Sequence, residues 1–162
     1  MPSEPPPFSI RKAREDDVPG ILECLQEAFE PYRDSYTAGA FLDTVPSLDA
    51  IQKRLASMCV FVATTLSGEI AGTVACNVVS ASEGHVRGMA VRAVWHGAGV
   101  GSELIRAVET ELRGRKCSRI GLDTTAPLER AMRFYEKHGF RRSGKITEFF
   151  GMQLIEYVKA LL

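Results

Sequence analysis

The sequence lacks an excess of charge of either sign, because 20 Lys and Arg balance 20 Asp and Glu and leave a formal net charge of zero. A chain without a positive field does not attract polyanions, so we expect neither nucleic acid nor an anionic membrane surface as a partner. Long apolar runs are missing too. The longest, residues 58–63, is far shorter than the roughly 20 residues of a membrane-spanning helix, so no membrane segment is expected.

Cysteine and histidine are also scarce. The four cysteines are widely spaced without a CxxC pair, and the three histidines are scattered. Such spacing argues against a disulfide framework and against a zinc site, so we predict reduced thiols and no metal. The opening segment MPSEPPPF has neither a basic start nor an apolar core, and it is therefore not a secretory signal. These features together predict a cytoplasmic protein.

The length and composition favour one globular domain. A chain of 162 residues with 45% hydrophobic residues falls within the usual size of a single domain and can bury a sizeable core. Only residues 2–7 are of low complexity, because proline dominates there. We predict a disordered proline-rich leader over residues 1–7 and a single domain over residues 8–162.

Apolar periodicity predicts a mixed α/β chain. Alternating β-branched segments predict strands, and Ser67 and Gly68 predict a hairpin turn between two of them. Apolar residues at helical spacing predict a helix that Pro31 ends and another that Ser47 opens, with a polar and aromatic connection over 32–46. Further helices follow the glycine cluster and cover 128–138, and the predicted strands are 8–13, 59–66, 69–79, 85–91, 119–124, 140–143 and about 147–155.

A glycine-rich loop is the most informative segment. Gly97, Gly99 and Gly101 lie between a predicted strand and a predicted helix, so the main-chain N–H groups of 97–102 can approach a ligand without steric obstruction. The first turn of a helix has unpaired N–H groups and a positive dipole end, which favour phosphate oxygens. A flexible turn with a close packing contact remains an alternative. The spacing departs from the dinucleotide fingerprint, and no Gly-Lys-Ser/Thr follows.

Two segments resemble a known family in the right order and separation. The series MAV, a four-residue spacer, HGAGVG and a long helix looks like motif A of the GNAT N-acetyltransferases. The segment LDTTAPLERAMRFYEKHGF (122–140) resembles the family's motif B, and FSIRKAREDDVPGILECL resembles its first strand and helix. The resemblance covers most of residues 8–155. It implies a mixed, mostly antiparallel sheet of about seven strands flanked by about four helices, with acetyl-CoA as cosubstrate.

The resemblance also implies where acetyl-CoA binds. The amides of the glycine loop would hold the diphosphate, and the preceding strand edge would pair with the pantetheine arm. Two departures affect this expectation: His96 stands where the family usually has Gln or Arg, and Leu128 stands where many members have Asn. Thr125, or its neighbour Thr124, is a possible polar replacement for that Asn. The residues implied to contact the donor are Met89, Ala90, Val91, His96, Gly97, Ala98, Gly99, Val100, Gly101, Ser102 and Thr125.

Tyr135 is the candidate acid, since it matches the tyrosine to which the family commonly assigns that role. A phenol with a pKa of roughly 10 stays protonated at neutral pH and can donate a proton to a departing thiolate. A packing role is the alternative, because Tyr135 falls on the apolar face of its predicted helix.

A base must take a proton from the acceptor amine, since an alkyl ammonium ion is not a nucleophile. His85 is the first candidate, because strict alternation along its strand puts it on the face of Met89 and Val91. Glu83 is the second candidate. The alternative is that His85 is an ordinary surface residue at the start of a strand.

The acceptor pocket is predicted in the connection between the first two helices, which that family uses for this purpose. Phe29, Tyr32 and Tyr36 make this connection aromatic, and they are the candidate substrate-binding residues. An aromatic clasp that only covers the sheet is an equally open reading.

We therefore expect an acetyl-CoA-dependent N-acetyltransferase that moves the acetyl group directly to an amine of a small molecule or a protein N-terminus. The alternative is a non-catalytic module that binds or senses acyl-CoA. The expected partners are a small-molecule amine or peptide substrate, and a homodimer through the last strands is possible.

Overall fold

The computed structural model describes residues 7–161 of the chain, so the predicted leader lies outside the described residues except for Pro7. The strands are β1 (Phe8–Lys12), β2 (Cys59–Thr65), β3 (Ile70–Ser80), β4 (Glu83–Val91), β5 (Arg119–Thr124), β6 (Arg141–Phe149) and β7 (Met152–Ala160). The helices are α1 (Val18–Phe29), α2 (Ala38–Thr44), α3 (Leu48–Ser57), α4 (Val100–Gly114) and α5 (Glu129–Lys137).

The seven strands form one sheet in the order β1-β2-β3-β4-β5-β7-β6. Every neighbouring pair is antiparallel except β4 and β5, which are parallel. The predicted fold class is confirmed. The helix count is one higher than expected, because α2 lies inside the stretch predicted as a connection. Thr37 starts this helix by accepting a hydrogen bond from the Ala40 amide.

Helices cover both faces of the sheet. On one face, the apolar side of α4 packs on the central strands through Val100, Leu104, Val108 and Leu112. On the other face, α1 and α3 pack on the same strands through Ile21, Leu25 and Ile51. The helical spacing of these residues in the sequence follows from this one-sided burial.

A bulge interrupts β4 at the centre of the sheet. Ala75 pairs with Arg87 and Thr73 pairs with Ala90, so one residue of β3 faces two residues of β4. Gly88 stands at the bulge with a φ of 62°, a backbone conformation that suits glycine.

The bulge reverses the side-chain alternation along β4. Val86, Met89 and Val91 all contact the core beneath α4. Because the bulge adds one residue between Val86 and Met89, these three side chains lie on one face of the sheet. His85, the neighbour of Val86, therefore lies on the opposite face. Our expectation that His85 shares a face with Met89 and Val91 is therefore wrong. The physical reason is that strict alternation holds only in a strand without a bulge.

The two parallel strands separate at one end. β4 pairs with β5 only from Glu83 to Val86, opposite Arg119 to Leu122. Beyond this point, the rest of β4 and the end of β5 face each other across a gap. Because strands carry backbone donors and acceptors along their edges, this gap leaves polar groups available for a ligand.

The last two strands form a hairpin that the sequence did not reveal. The strand predicted at about 147–155 runs across a turn, in which Phe150 has a φ of 49° and Gly151 a φ of 82°. Positive φ values at both central residues of a two-residue turn suit the twist of a hairpin. The turn was not predicted because its first central residue is Phe150, whereas Asn, Asp or Gly is the usual signal at this position.

A buried carboxylate ties β1 to the start of α1. Two guanidinium nitrogens of Arg11 donate to Asp17 at 2.7 and 2.8 Å, and the Arg14 amide donates to it at 2.7 Å. These hydrogen bonds, first of all that from Arg11, lower the pKa of Asp17. A lowered pKa stabilises the folded state above the ordinary aspartate pKa of about 4, and this contribution is lost as the pH falls through the folded-state pKa.

We predict that Asp17→Asn lowers the free energy of unfolding at pH 7 by about 1.5–3 kcal/mol, the usual value of hydrogen bonds to a charged group. The difference from wild type should shrink as the pH falls below about 4, because the unfolded chain binds a proton at Asp17 there, whereas the folded state binds it only at its lower pKa. Urea unfolding across pH measures both effects. Asp16→Asn is the matched control, because the Asp16 side chain is 80% exposed. Equal stability of Asp17→Asn and wild type at pH 7 would contradict the assignment.

Candidate active site

A cavity of about 1100 Å³ follows the gap between β4 and β5. It runs from the glycine loop, past the bulge at Gly88, to the aromatic segment, which is formed by Phe29 at the end of α1 and by Tyr32 and Tyr36 before α2. The structure brings most of the predicted site residues to its wall: Phe29, Tyr32, Tyr36, His85, Met89, Ala90, Val91, His96, Gly97, Gly99, Val100, Gly101, Ser102, Thr125 and Tyr135. Two predicted residues, Glu83 and Ala98, are not among those that line it.

The glycine loop forms one end of the cavity. Gly97 and Gly99 have φ values of 80° and 88°, and a Cβ atom at either position would meet open space. Gly99 is the N-cap of α4 and provides no side-chain cap. The first helical hydrogen bond is that from the Glu103 amide to the Gly99 carbonyl. The N–H groups of Val100, Gly101 and Ser102 therefore have no intrahelical acceptor, and they stand at the positive end of the helix dipole, as an anion site requires.

Ala98 differs from its neighbours in the loop. Its amide donates to the Trp95 carbonyl at 3.3 Å, so the turn itself uses the donor that we expected to contact a phosphate. The amides of Gly97 and Gly99 have no hydrogen-bond acceptor within residues 7–161. The donors that the loop leaves for a ligand are therefore the amides of Gly97 and Gly99, together with those of the first turn of α4.

His96 fixes the loop to the end of β4. Its Nε2 atom donates to the Val91 carbonyl at 3.0 Å. The Arg92 amide donates to the Ala71 carbonyl on β3. By alternation, the main-chain groups of Val91 then point away from β3 and toward the gap. Because the Val91 carbonyl accepts a hydrogen bond from His96, the group that Val91 presents to the cavity is its N–H.

Cationic groups on α5 face the same end of the cavity. Arg130, Arg133 and Lys137 line it, and their spacing of three and four residues puts them on one side of the helix. These three residues were not among the predicted site residues, although their spacing in the sequence is that of one helix face. They complement the loop electrostatically, because a phosphorylated ligand would be an anion.

His138 links α5 to the glycine loop. Its Nδ1 atom donates to the Phe134 carbonyl at 2.9 Å, and its Nε2 atom lies 2.9 Å from the Ser102 hydroxyl. A carbonyl only accepts, so in the neutral ring Nδ1 carries the proton and Ser102 donates to Nε2. This contact orients Ser102 in the first turn of α4.

Tyr135 lies at the middle of the cavity. Its ring packs edge-on against Phe134 and Phe140, and its hydroxyl has no hydrogen-bond partner within residues 7–161. Burial, and then the nearby Tyr36, raises the pKa of Tyr135 to about 12. A buried ring packed on its helix therefore also carries a protonated hydroxyl that is available to a ligand, so the packing and acid roles are compatible.

The aromatic segment closes the cavity opposite α5. The Tyr36 hydroxyl lies 2.6 Å from that of Thr125 at the end of β5, and burial raises the pKa of Tyr36. Thr37 donates to the Phe150 carbonyl at 2.7 Å, which joins α2 to the β6–β7 turn. Next to Thr125, the buried Thr124 hydroxyl has no partner within residues 7–161 and lines the cavity.

His85 and Asp123 stand where β4 and β5 separate. His85 Nε2 lies 3.3 Å from Asp123 Oδ2, and each side chain is about one third exposed, at 33% and 34%. Glu83 instead lies at the start of β4, in register with Arg119. The structure therefore favours His85 over Glu83 as the candidate base.

Two arginines near the bulge, Arg54 and Arg87, were not among the predicted site residues. Arg87 Nη2 donates to Asp43 Oδ2 at 3.1 Å. Arg54 on α3 lines the cavity beside them, and burial, followed by repulsion from Arg87, lowers its pKa to about 10. An arginine on an amphipathic helix resembles a solvent-facing residue, so the sequence carried no signal for Arg54.

No helix over residues 7–161 is long and apolar enough to cross a membrane. In the same part of the chain, no three His, Cys, Asp or Glu side chains form a group that could hold a metal ion, and the absence of a metal stays a prediction. The cysteines Cys24, Cys59, Cys76 and Cys117 are buried and form no disulfide.

Comparison with known proteins gives one family match. A family model described as acetyltransferase (GNAT) family matches residues 20–140. The fold is similar to an acetyltransferase of the GNAT family from Staphylococcus aureus Mu50, which is 18% identical with a TM-score of 0.79 over 96% of this chain and 99% of that chain.

Two further solved structures share the fold. The PaiA N-acetyltransferase from Thermoplasma acidophilum, in complex with coenzyme A, is 14% identical with a TM-score of 0.79 over 94% of this chain and 98% of that chain. The ribosomal-protein-S18-alanine N-acetyltransferase from Escherichia coli is 18% identical with a TM-score of 0.74 over 95% of this chain and 94% of that chain.

We predict that Gly99→Glu raises the Kd for coenzyme A at least about tenfold, because the new side chain would place bulk and negative charge in the open space before α4. Isothermal titration calorimetry measures this change. Gly114→Glu is the matched control, since Gly114 ends the same helix and also borders open space. Unchanged affinity of Gly99→Glu would show that the diphosphate does not bind at this loop.

Proposed function

Because the chain belongs to the GNAT family of acetyltransferases, we propose that the cavity between β4 and β5 is its active site. The family assignment makes the chain an acetyl-CoA-dependent N-acetyltransferase and disfavours the alternative of a non-catalytic acyl-CoA module. One observation carries the placement of the site. A glycine loop whose Gly97 and Gly99 amides have no acceptor within residues 7–161, the strand edge at the gap, and a tyrosine hydroxyl without a partner in the same residues lie along one cavity.

The donor would lie along the gap. Its diphosphate would accept hydrogen bonds from Gly97, Gly99 and the first turn of α4, with the α5 cations nearby. The pantetheine arm would pair with the β4 edge at Met89 and Val91, as an added strand does. We expect Ala98 to contribute only by shaping the turn, and His96 by holding the loop to Val91.

The reaction would move the acetyl group from the sulfur of the thioester to the nitrogen of the amine. The amine nitrogen attacks the thioester carbonyl, a C–N bond forms and the C–S bond breaks. The amine loses one proton and the departing thiolate gains one. An N–H group at the β4 edge would stabilise the oxyanion, and the Tyr135 hydroxyl would give its proton to the sulfur.

His85 is the proposed base. It lines the cavity on the side away from the glycine loop, and its contact with Asp123 holds the ring in place. Glu83 does not line the cavity, so we do not assign it a direct role. The acceptor, an amine of a small molecule or a protein N-terminus, would enter between His85 and the aromatic residues Phe29, Tyr32 and Tyr36.

Three further features are proposals. The four buried thiols, none of them in a disulfide, suit a reducing compartment, and support placement in the cytoplasm. β6 is an outer strand of the sheet with exposed residues along almost its whole length, including Ile146. Such an edge supports a homodimer through the last strands. The single sheet that joins β1 to β7 supports the assignment of residues 8–162 to one domain.

The proposed function is tested by incubating the protein with acetyl-CoA and a panel of amines and peptides. We expect release of free thiol together with an acetylated product of matching mass. Binding of acetyl-CoA without transfer to any acceptor would instead support the acyl-CoA-sensing module.

We predict that Tyr135→Phe lowers kcat about a hundredfold or more, since a general acid contributes at least this much. The KM for acetyl-CoA and the Tm should stay near their wild-type values, because the hydroxyl has no protein partner to lose. Tyr157→Phe is the control, because the Tyr157 hydroxyl bonds Arg142 and Glu136. That variant should lower the Tm and keep kcat. An unchanged kcat for Tyr135→Phe would assign Tyr135 to packing alone.

A further inference from the structure

Arg54 lies directly against the bulge of β4. A Cβ atom added at Gly88 would collide with the guanidinium nitrogen Nη1 of Arg54, so the charged group occupies the space that this glycine leaves free. Arg54 also lines the cavity. Its charge is therefore placed one residue from Met89, at the point where the donor's acetyl group would meet the acceptor.

The Arg54 guanidinium has no partner of its own. Within residues 7–161, no side chain or carbonyl accepts a hydrogen bond from it, and no carboxylate forms an ion pair with it. The carboxylate nearby, that of Asp43, is already bonded to Arg87. Two cations thus face one anion here, and a single positive charge is left uncompensated.

Partial burial makes this charge costly. The lowered pKa of Arg54, about 10, still leaves the guanidinium charged at neutral pH. A half-buried cation without a partner destabilises the folded protein relative to a paired one. A bound anion that reached the cavity would compensate the charge and would in turn be held by a charge-assisted hydrogen bond.

We propose that the acceptor is a small amine that also carries a carboxylate, and that Arg54 binds this carboxylate. The proposal rests on the proposed function and narrows its acceptor. The single uncompensated charge suits a monoanion, and a planar guanidinium matches a carboxylate in shape. A polyamine would instead be repelled by Arg54 and Arg87.

The remaining walls at this end describe the rest of the acceptor. Apolar side chains line the cavity together with the polar side chains of Thr44 and Asn77, so the acceptor's carbon skeleton should offer an apolar surface to them. These apolar side chains include Met58, Val79, Phe149 and Leu154. His85 and Asp123 line the same cavity, with His85 Nε2 3.3 Å from Asp123 Oδ2. An amino acid with an apolar side chain combines an amine, a carboxylate and such a skeleton.

The test compares α-, β- and γ-amino acids, each with its own carboxamide, as acceptors for the wild-type enzyme. An amide has the same shape and no charge. Values of kcat/KM are corrected for the fraction of neutral amine, since the two forms differ in amine pKa. We expect at least one amino acid to exceed its amide about tenfold or more. Amides that are equal or better throughout, or acetylation of peptides alone, would overturn the proposal.

Variants of Arg54 test whether this residue causes the preference for an amino acid over its carboxamide. For the preferred amino acid, Arg54→Gln should lower kcat/KM about tenfold to a hundredfold, mainly through the acceptor KM, and should remove the preference over the amide. Arg54→Lys should restore part of it. Lys53→Gln is the matched control, because Lys53 is the exposed neighbour on α3 and should keep the preference. A preference that survives Arg54→Gln would overturn the assignment.

Calorimetry with acetyl-CoA separates this inference from the proposed function. Acetyl-CoA binding with equal turnover of charged and neutral acceptors would refute the carboxylate site and leave the acetyltransferase intact. Failure to bind acetyl-CoA, with no acceptor acetylated, would contradict both.

Discussion

The parting of β4 from β5 is the constraint on which the rest of the site depends. Two parallel strands that stay paired use their facing N–H and C=O groups in hydrogen bonds to each other. Here the pairing of β4 with β5 stops at Val86 and Leu122. The bulge at Gly88 follows immediately on β4. The result is an unpaired strand edge in the middle of the sheet, where a ligand can take the place of a strand. The helices stabilise the two halves of the sheet on either side of this gap.

The other parts of the site are arranged around that gap. The glycine loop follows the open end of β4, so its amides and the first turn of α4 meet whatever enters there. α5 follows the open end of β5 and brings Tyr135 to the same space. Tyr36 reaches across to Thr125 and closes one side. Donor binding, proton transfer and acceptor binding are thus properties of one opening in one sheet.

Local sequence patterns predicted what depends on local chemistry. The unobstructed space beside Gly97 and Gly99, the Ser47 cap and the apolar side of α4 each follow from residues that are close in the chain. The bulge depends on how β3 and β4 align, so its reversal of His85 could not be read from alternation. Within residues 7–161, Arg54 has no partner because Asp43 is bonded to Arg87, and no spacing in the sequence reveals this contact between distant segments.

The most direct measurement of the central claim is a crystal structure of the protein with coenzyme A. The account predicts the diphosphate within hydrogen-bond distance of the Gly97 and Gly99 amides and of the first turn of α4. It also predicts the pantetheine arm in the gap along Met89 and Val91. Coenzyme A bound on another surface, with the gap between β4 and β5 left open to solvent, would contradict it.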